Sequence, residues 1–84
     1  MREVDHLTVT GKRAVRAVAR GTMSLGLASS HLTSLVAAAE QGGYSDDPGI
    51  QSWVYRPALR LYEYEHGDWT EEQVRATFAA WVRR

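Results

Sequence analysis

The chain has no cysteine. That excludes disulfide staples and cysteine-based metal sites, and it fits a reducing, cytoplasmic setting. It also lacks any run of about 18 consecutive apolar residues, the length a membrane-spanning helix requires. The nearest stretch, residues 22–39, is interrupted by Ser24, Ser29, Ser30, His31, Thr33 and Ser34. The first residues, Met-Arg-Glu-Val-Asp-His, carry acids and lack the apolar core of a signal peptide. No sign of charge dominates, since ten basic side chains balance ten acidic ones. The halves differ mildly. Residues 1–40 hold Arg2, Lys12, Arg13, Arg16 and Arg20 against Glu3, Asp5 and Glu40, and the acids outnumber the bases in the rest. Proline is scarce, at Pro48 and Pro57 alone.

Eighty-four residues suffice for a single domain, 1–84. Three tryptophans and four tyrosines give this short chain bulky material for a core. The apolar periodicity is helical throughout, so the expected fold is an all-α bundle of four helices, or five if the third breaks at its proline. In residues 1–10, Leu7, Thr8, Val9 and Thr10 alternate and have β-type side chains, which allows a short strand. A lone strand has nothing to pair with but a second copy of the chain, so an irregular arm leading to a cap at Thr10 is the favoured reading. Residues 11–20 read as a helix stopped by Gly21. A second helix over 30–41 takes its cap from Ser29 or Ser30 and carries the stripe Leu32, Leu35, Val36 and Ala39. The loop before the third helix ends in Asp47-Pro48, an N-cap followed by proline at N1. The third helix, 48–66, contains Pro57, which predicts a kink or break there. The last helix, 70–83, opens with Thr70 and Gln73 as a capping box and Trp69 as a staple for Val74. The predicted core is Val15, Val18, Leu32, Leu35, Val36, Trp53, Val54, Leu61, Val74, Phe78 and Trp81.

The third helix carries two apolar stripes. Ile50, Trp53, Val54, Pro57, Ala58, Leu61 and Tyr64 recur at one helical phase, and Tyr55, Leu59 and Tyr62 at another. A helix apolar on two faces needs two packing partners. One is the rest of the domain, and the other is a different protein or a second copy of the chain. The candidate partner-binding set is therefore Tyr55, Arg56, Leu59, Arg60 and Tyr62, an apolar centre with a polar rim.

Other chemistry is less well supported by the residues. Lys12, Arg13, Arg16 and Arg20 form a basic helix face, and a small DNA-associated protein using that face is the alternative reading. The following helix offers none of the Arg, Lys, Asn or Gln in its first turns that usually read bases. Glu63 and His66 share a helix face, but one such pair supplies too few ligands for a metal, so no metal or cofactor is expected. The serines lack a nucleophile elbow, and Gly42-Gly43 lacks the Lys-Ser or Lys-Thr of a phosphate loop. The expectation is thus a non-enzymatic protein–protein interaction module, in homodimeric form or bound to another protein, with no membrane association. Its Ala, Arg and Val usage with one lysine is that of a GC-rich genome, as in an actinobacterial or phage accessory protein.

Overall fold

The computed structural model describes residues 2–83. Its helices are α1 (Glu3–Arg20), α2 (Leu25–Gly42), α3 (residues 48–65) and α4 (Glu71–Val82). The all-α bundle expected from periodicity is the observed architecture. α1 packs on α2 and on α4, and α3 closes the ring by packing on both. α1 also crosses the first turns of α3.

Residues 3–10, expected as an arm, are instead the first half of α1. Two terms compete there. β-branched residues cost up to about 0.7 kcal/mol each in a helix, whereas burying one valine or leucine side chain is worth about 1.5–3 kcal/mol. Val4 and Leu7 are buried on the same face as Gly11, Ala14, Val15 and Val18, so burial wins. The two threonines are satisfied inside the helix. Thr8 Oγ1 donates to the Val4 carbonyl at 3.0 Å, and Thr10 Oγ1 donates to the His6 carbonyl at 2.7 Å. Gly21 ends α1 as expected, at φ 76°. Its N–H and that of Thr22 close on the carbonyls of Val18 and Ala17.

α2 starts one and a half turns earlier than Ser29 or Ser30 would place it. Ser24 is the cap, and its side chain accepts from the Leu27 N–H at 3.1 Å. The earlier start buries Leu25 and Ala28. Gly26 falls in the first turn, where the backbone N–H groups lack intrahelical partners in any case. Ser29 bonds across the fold instead. Its hydroxyl donates to Glu65 Oε1 at 2.7 Å and ties α2 to the end of α3. Arg75 in α4 seals the α1–α2 junction. Its Nη1 donates to the carbonyls of Val18 and Met23 at 2.8 and 3.2 Å, and its Nε pairs with Glu71.

α3 neither breaks nor splits at Pro57. It begins at Asp47 and Pro48 as the sequence indicates, with Asp47 Oδ2 accepting from the Ile50 N–H at 3.1 Å. It then widens into one π-helical turn, Gln51–Tyr55, before resuming as Arg56–Glu65. The Arg56 N–H reaches back to the Gln51 carbonyl in the wider turn. An α-helix would pair the Trp53 carbonyl with the N–H of residue 57, which proline lacks. The π turn absorbs this mismatch without a break. Two neighbours accommodate the displaced carbonyls. Arg56 Nε donates to the Ser52 carbonyl at 3.3 Å. Gly11 of α1 lets the Trp53 carbonyl approach so closely that a Cβ at position 11 would lie 2.1 Å from its oxygen.

The core contains Val15, Val18, Leu32, Leu35, Val54, Leu61, Val74 and Phe78, as expected, together with Val4, Leu7, Leu25, Ala28, Ala39 and Ile50. Val36, Trp53 and Trp81 pack against this core but remain half-buried. The expected capping box of α4 is present in full, with Thr70 and Gln73 satisfying each other's backbone N–H.

Candidate functional site

The two stripes of α3 have opposite fates. Ile50, Val54, Pro57 and Leu61 lie in the core. Leu59 and Tyr62 of the other stripe are 59% and 58% exposed. Tyr55 beside them is half-buried, and its hydroxyl lies 3.0 Å from Ser45 Oγ. This second face borders α2. Thr33 and Val36 join Tyr55, Ala58, Leu59 and Tyr62 around a groove of about 310 Å³. On the other side of Leu59, a second hollow is lined by Gln51, Tyr55, Arg56 and Leu59. Leu59 is thus a ridge between two depressions. The Tyr62 and His66 rings meet at a tilt of 33° with centroids 4.2 Å apart, and His66 Nδ1 lies 2.8 Å from the Tyr62 carbonyl.

Arg56, predicted on the rim of this face, lines the hollow beside Leu59, and its guanidinium and that of Arg60 also reach Trp81 of α4. They interleave with three tryptophans. The Arg56 guanidinium sits 5.7 Å from the Trp53 ring centroid and 3.9 Å from that of Trp81. The Arg60 guanidinium sits 5.6 Å from Trp81 and 4.2 Å from Trp69. Lys12 Nζ of α1 also lies over the Trp53 ring, 5.0 Å from its centroid. The order along the ladder is Lys12, Trp53, Arg56, Trp81, Arg60, Trp69. Each cation over a ring is worth about 0.5–2 kcal/mol, more where water is displaced. Glu63 fastens the far end: its Oε1 accepts from Trp69 Nε1 at 3.2 Å and lies 3.4 Å from Arg60 Nε. That ion pair lacks hydrogen-bond alignment, so Arg60 Nε is buried without a hydrogen-bond acceptor. Arg60 Nη1 reaches Thr77 Oγ1 at 3.4 Å. Trp81 also stacks on Phe78 at 5.1 Å. The tryptophans expected in the core therefore form its polar-faced border. The i, i+4 spacing of Arg56 and Arg60 puts both on one side of α3, and that regularity is the local sign of the ladder.

The predicted basic face is divided among three surroundings. Lys12 belongs to the ladder. Arg13 borders a hollow between α1 and α2, with Thr10, Ala14, Ala17, Met23 and His31. Arg16 and Arg20 meet Arg83 of the other chain end across a cleft between α1 and α4. Arg83 was not among the residues the sequence singled out. Only the pairing of α1 with α4 brings it to the others.

Glu63 and His66 do not converge, since Glu63 serves Trp69 and Arg60 while His66 turns to the Tyr62 carbonyl. Among the described residues, no group of three or more His, Asp or Glu side chains is placed to hold a metal ion. Nor is any described helix long and apolar enough to cross a membrane. Comparison of the chain with protein-family models, with curated proteins and with solved structures finds no match.

Proposed function

We propose that the chain is a non-enzymatic interaction module that pairs with a second copy of itself through the Tyr55–Leu59–Tyr62 face of α3. The observation that carries this reading is the exposure of Leu59 and Tyr62, one turn apart on a helix whose other stripe already seats it in the core. A ridge flanked by two hollows is self-complementary under a two-fold axis, because such symmetry sets a surface against its own copy. With the axis between Leu59 and one of these hollows, each ridge enters that hollow of the other copy.

The test is the mass in solution. The wild-type chain should sediment as a dimer at micromolar concentration. Leu59→Glu with Tyr62→Glu should sediment as a monomer with unchanged helicity. A wild-type monomer at high concentration would remove the second copy as occupant. A double variant that loses its helicity would show the face to be part of the core.

A further inference from the structure

The cleft between α1 and α4 has a composition that the α3 face does not explain. Arg16, Arg20 and Arg83 line it together with Ala19, Ala79 and Val82. No carboxylate is part of this lining, and these three arginines form no ion pair among the described residues. Of the other described arginines, Arg13 likewise forms no ion pair, and the remaining four contrast with them. Arg2, Arg60 and Arg75 each pair with an acid, and Arg56 lies against Trp53 and Trp81. Among the described residues, the cleft thus gathers three guanidiniums around one concavity with no counter-charge in its lining. Its volume of about 430 Å³ lies within the roughly 300–1,000 Å³ typical of small-molecule sites.

We propose that this cleft binds a small phosphorylated molecule. Its phosphate is shared by Arg16, Arg20 and Arg83, and its apolar body lies against Ala19, Ala79 and Val82. A carboxylate offers two oxygens and is satisfied by one bidentate arginine. A phosphate monoester offers three terminal oxygens and two negative charges, enough acceptors for three planar forks. The alanine side chains leave room beside the anion, and Val82 gives an apolar contact. A duplex needs a track of cations along its backbone. Here Lys12 is engaged by Trp53, and Arg13 opens onto a different hollow. The cluster fits one phosphate group better than a row of them.

Phenyl phosphate is a suitable probe, followed by NMR of the arginine Nε–H and backbone amide signals. The expected result is a saturable shift confined to Arg16, Arg20, Arg83 and their neighbours. Benzoate at the same concentration should bind more weakly. Arg16→Gln and Arg20→Gln should each weaken phenyl phosphate binding roughly tenfold, the scale of a lost charge-assisted contact. Arg13→Gln should leave it unchanged. Shifts that extend equally to Arg13, or that track ionic strength without saturating, would show an ordinary solvated basic surface and overturn the proposal. So would tight, salt-sensitive binding of a DNA duplex by a protein that phenyl phosphate does not saturate. The mass measurement on the Leu59 and Tyr62 variant is separate, so either idea fails without the other.

Discussion

At the scale of single residues, Gly11 and Gly26 show how packing changes the sign of one substitution. Alanine is favoured over glycine in a helix by about 1 kcal/mol. At Gly26 nothing lies within 4 Å of an added Cβ, so Gly26→Ala should be neutral or stabilise by up to about 1 kcal/mol. At Gly11 the added Cβ meets the Trp53 carbonyl oxygen at 2.1 Å and its carbon at 3.0 Å. Backbone cannot swing aside as a side chain does, and overpacking of this kind costs about 1–3 kcal/mol or more. Gly11→Ala should therefore lower the denaturation midpoint despite its better propensity, and urea titration of the two variants checks the opposite signs. Asp5 gives a residue-scale prediction in pH. The hydrogen bond from Arg2, aided by its charge, holds the Asp5 carboxyl below the usual carboxylate range. A group with a lowered folded pKa contributes stability above its unfolded pKa and loses it as the pH falls through the folded value. The pair is exposed, so this contribution is small. Carboxyl NMR should show Asp5 titrating low, and Arg2→Ala should move its midpoint upward. An unmoved midpoint would mean that the Arg2 contact is absent in solution.

At the scale of helices, what the sequence disclosed was what local chemistry decides. The capping box at Thr70 and Gln73, the Asp47-Pro48 start and the Gly21 stop all depend on residues within one turn of each other. The start of α1 was not legible. Leu7, Thr8, Val9 and Thr10 alternate like a strand, and only the partners of Val4 and Leu7 settle the matter. The start of α2 was misplaced for a related reason. Ser24, Ser29 and Ser30 are equivalent as local caps, and the decision falls to Leu25 and Ala28, whose burial requires the earlier start. Replacement of the serines separates these readings. Ser24→Ala should cost about 1 kcal/mol, the usual value of a lost N-cap. Ser30→Ala, at an exposed site inside α2, should stay within about 0.5 kcal/mol of wild type. Equal losses in thermal melts would place the cap elsewhere. The π turn was half legible. Pro57 announced a disturbance, but its form depended on Gly11, which lies far away in sequence and gives the Trp53 carbonyl a place to go.

At the scale of the whole molecule, the candidate surfaces occupy opposite seams of one helical ring. The Tyr55–Leu59–Tyr62 face lies over the seam between α2 and α3, and the three-arginine cleft lies over that between α1 and α4. The second stripe of α3 was readable as a surface because its residues share one helix. The cleft was not, because Arg83 follows the end of another helix and Lys12 and Arg13 are drawn elsewhere. Between the two seams runs the arginine–tryptophan ladder, which joins α1, α3 and α4 and leaves the seams no shared side chain. Substitutions without common partners add nearly independently, within about 0.3–0.5 kcal/mol. The Leu59→Glu, Tyr62→Glu variant should thus bind phenyl phosphate with the wild-type affinity, and Arg16→Gln with Arg20→Gln should leave the sedimenting mass unchanged. Arg56→Ala is the informative contrast. It opens the ladder between Trp53 and Trp81 and removes a wall of the hollow beside Leu59. It should therefore weaken self-association and also shift tryptophan fluorescence, while phosphate binding stays as in wild type. If Arg56→Ala disturbs the phosphate shifts as strongly as the mass, the ladder couples the two seams, and they form one two-state unit in place of two independent surfaces.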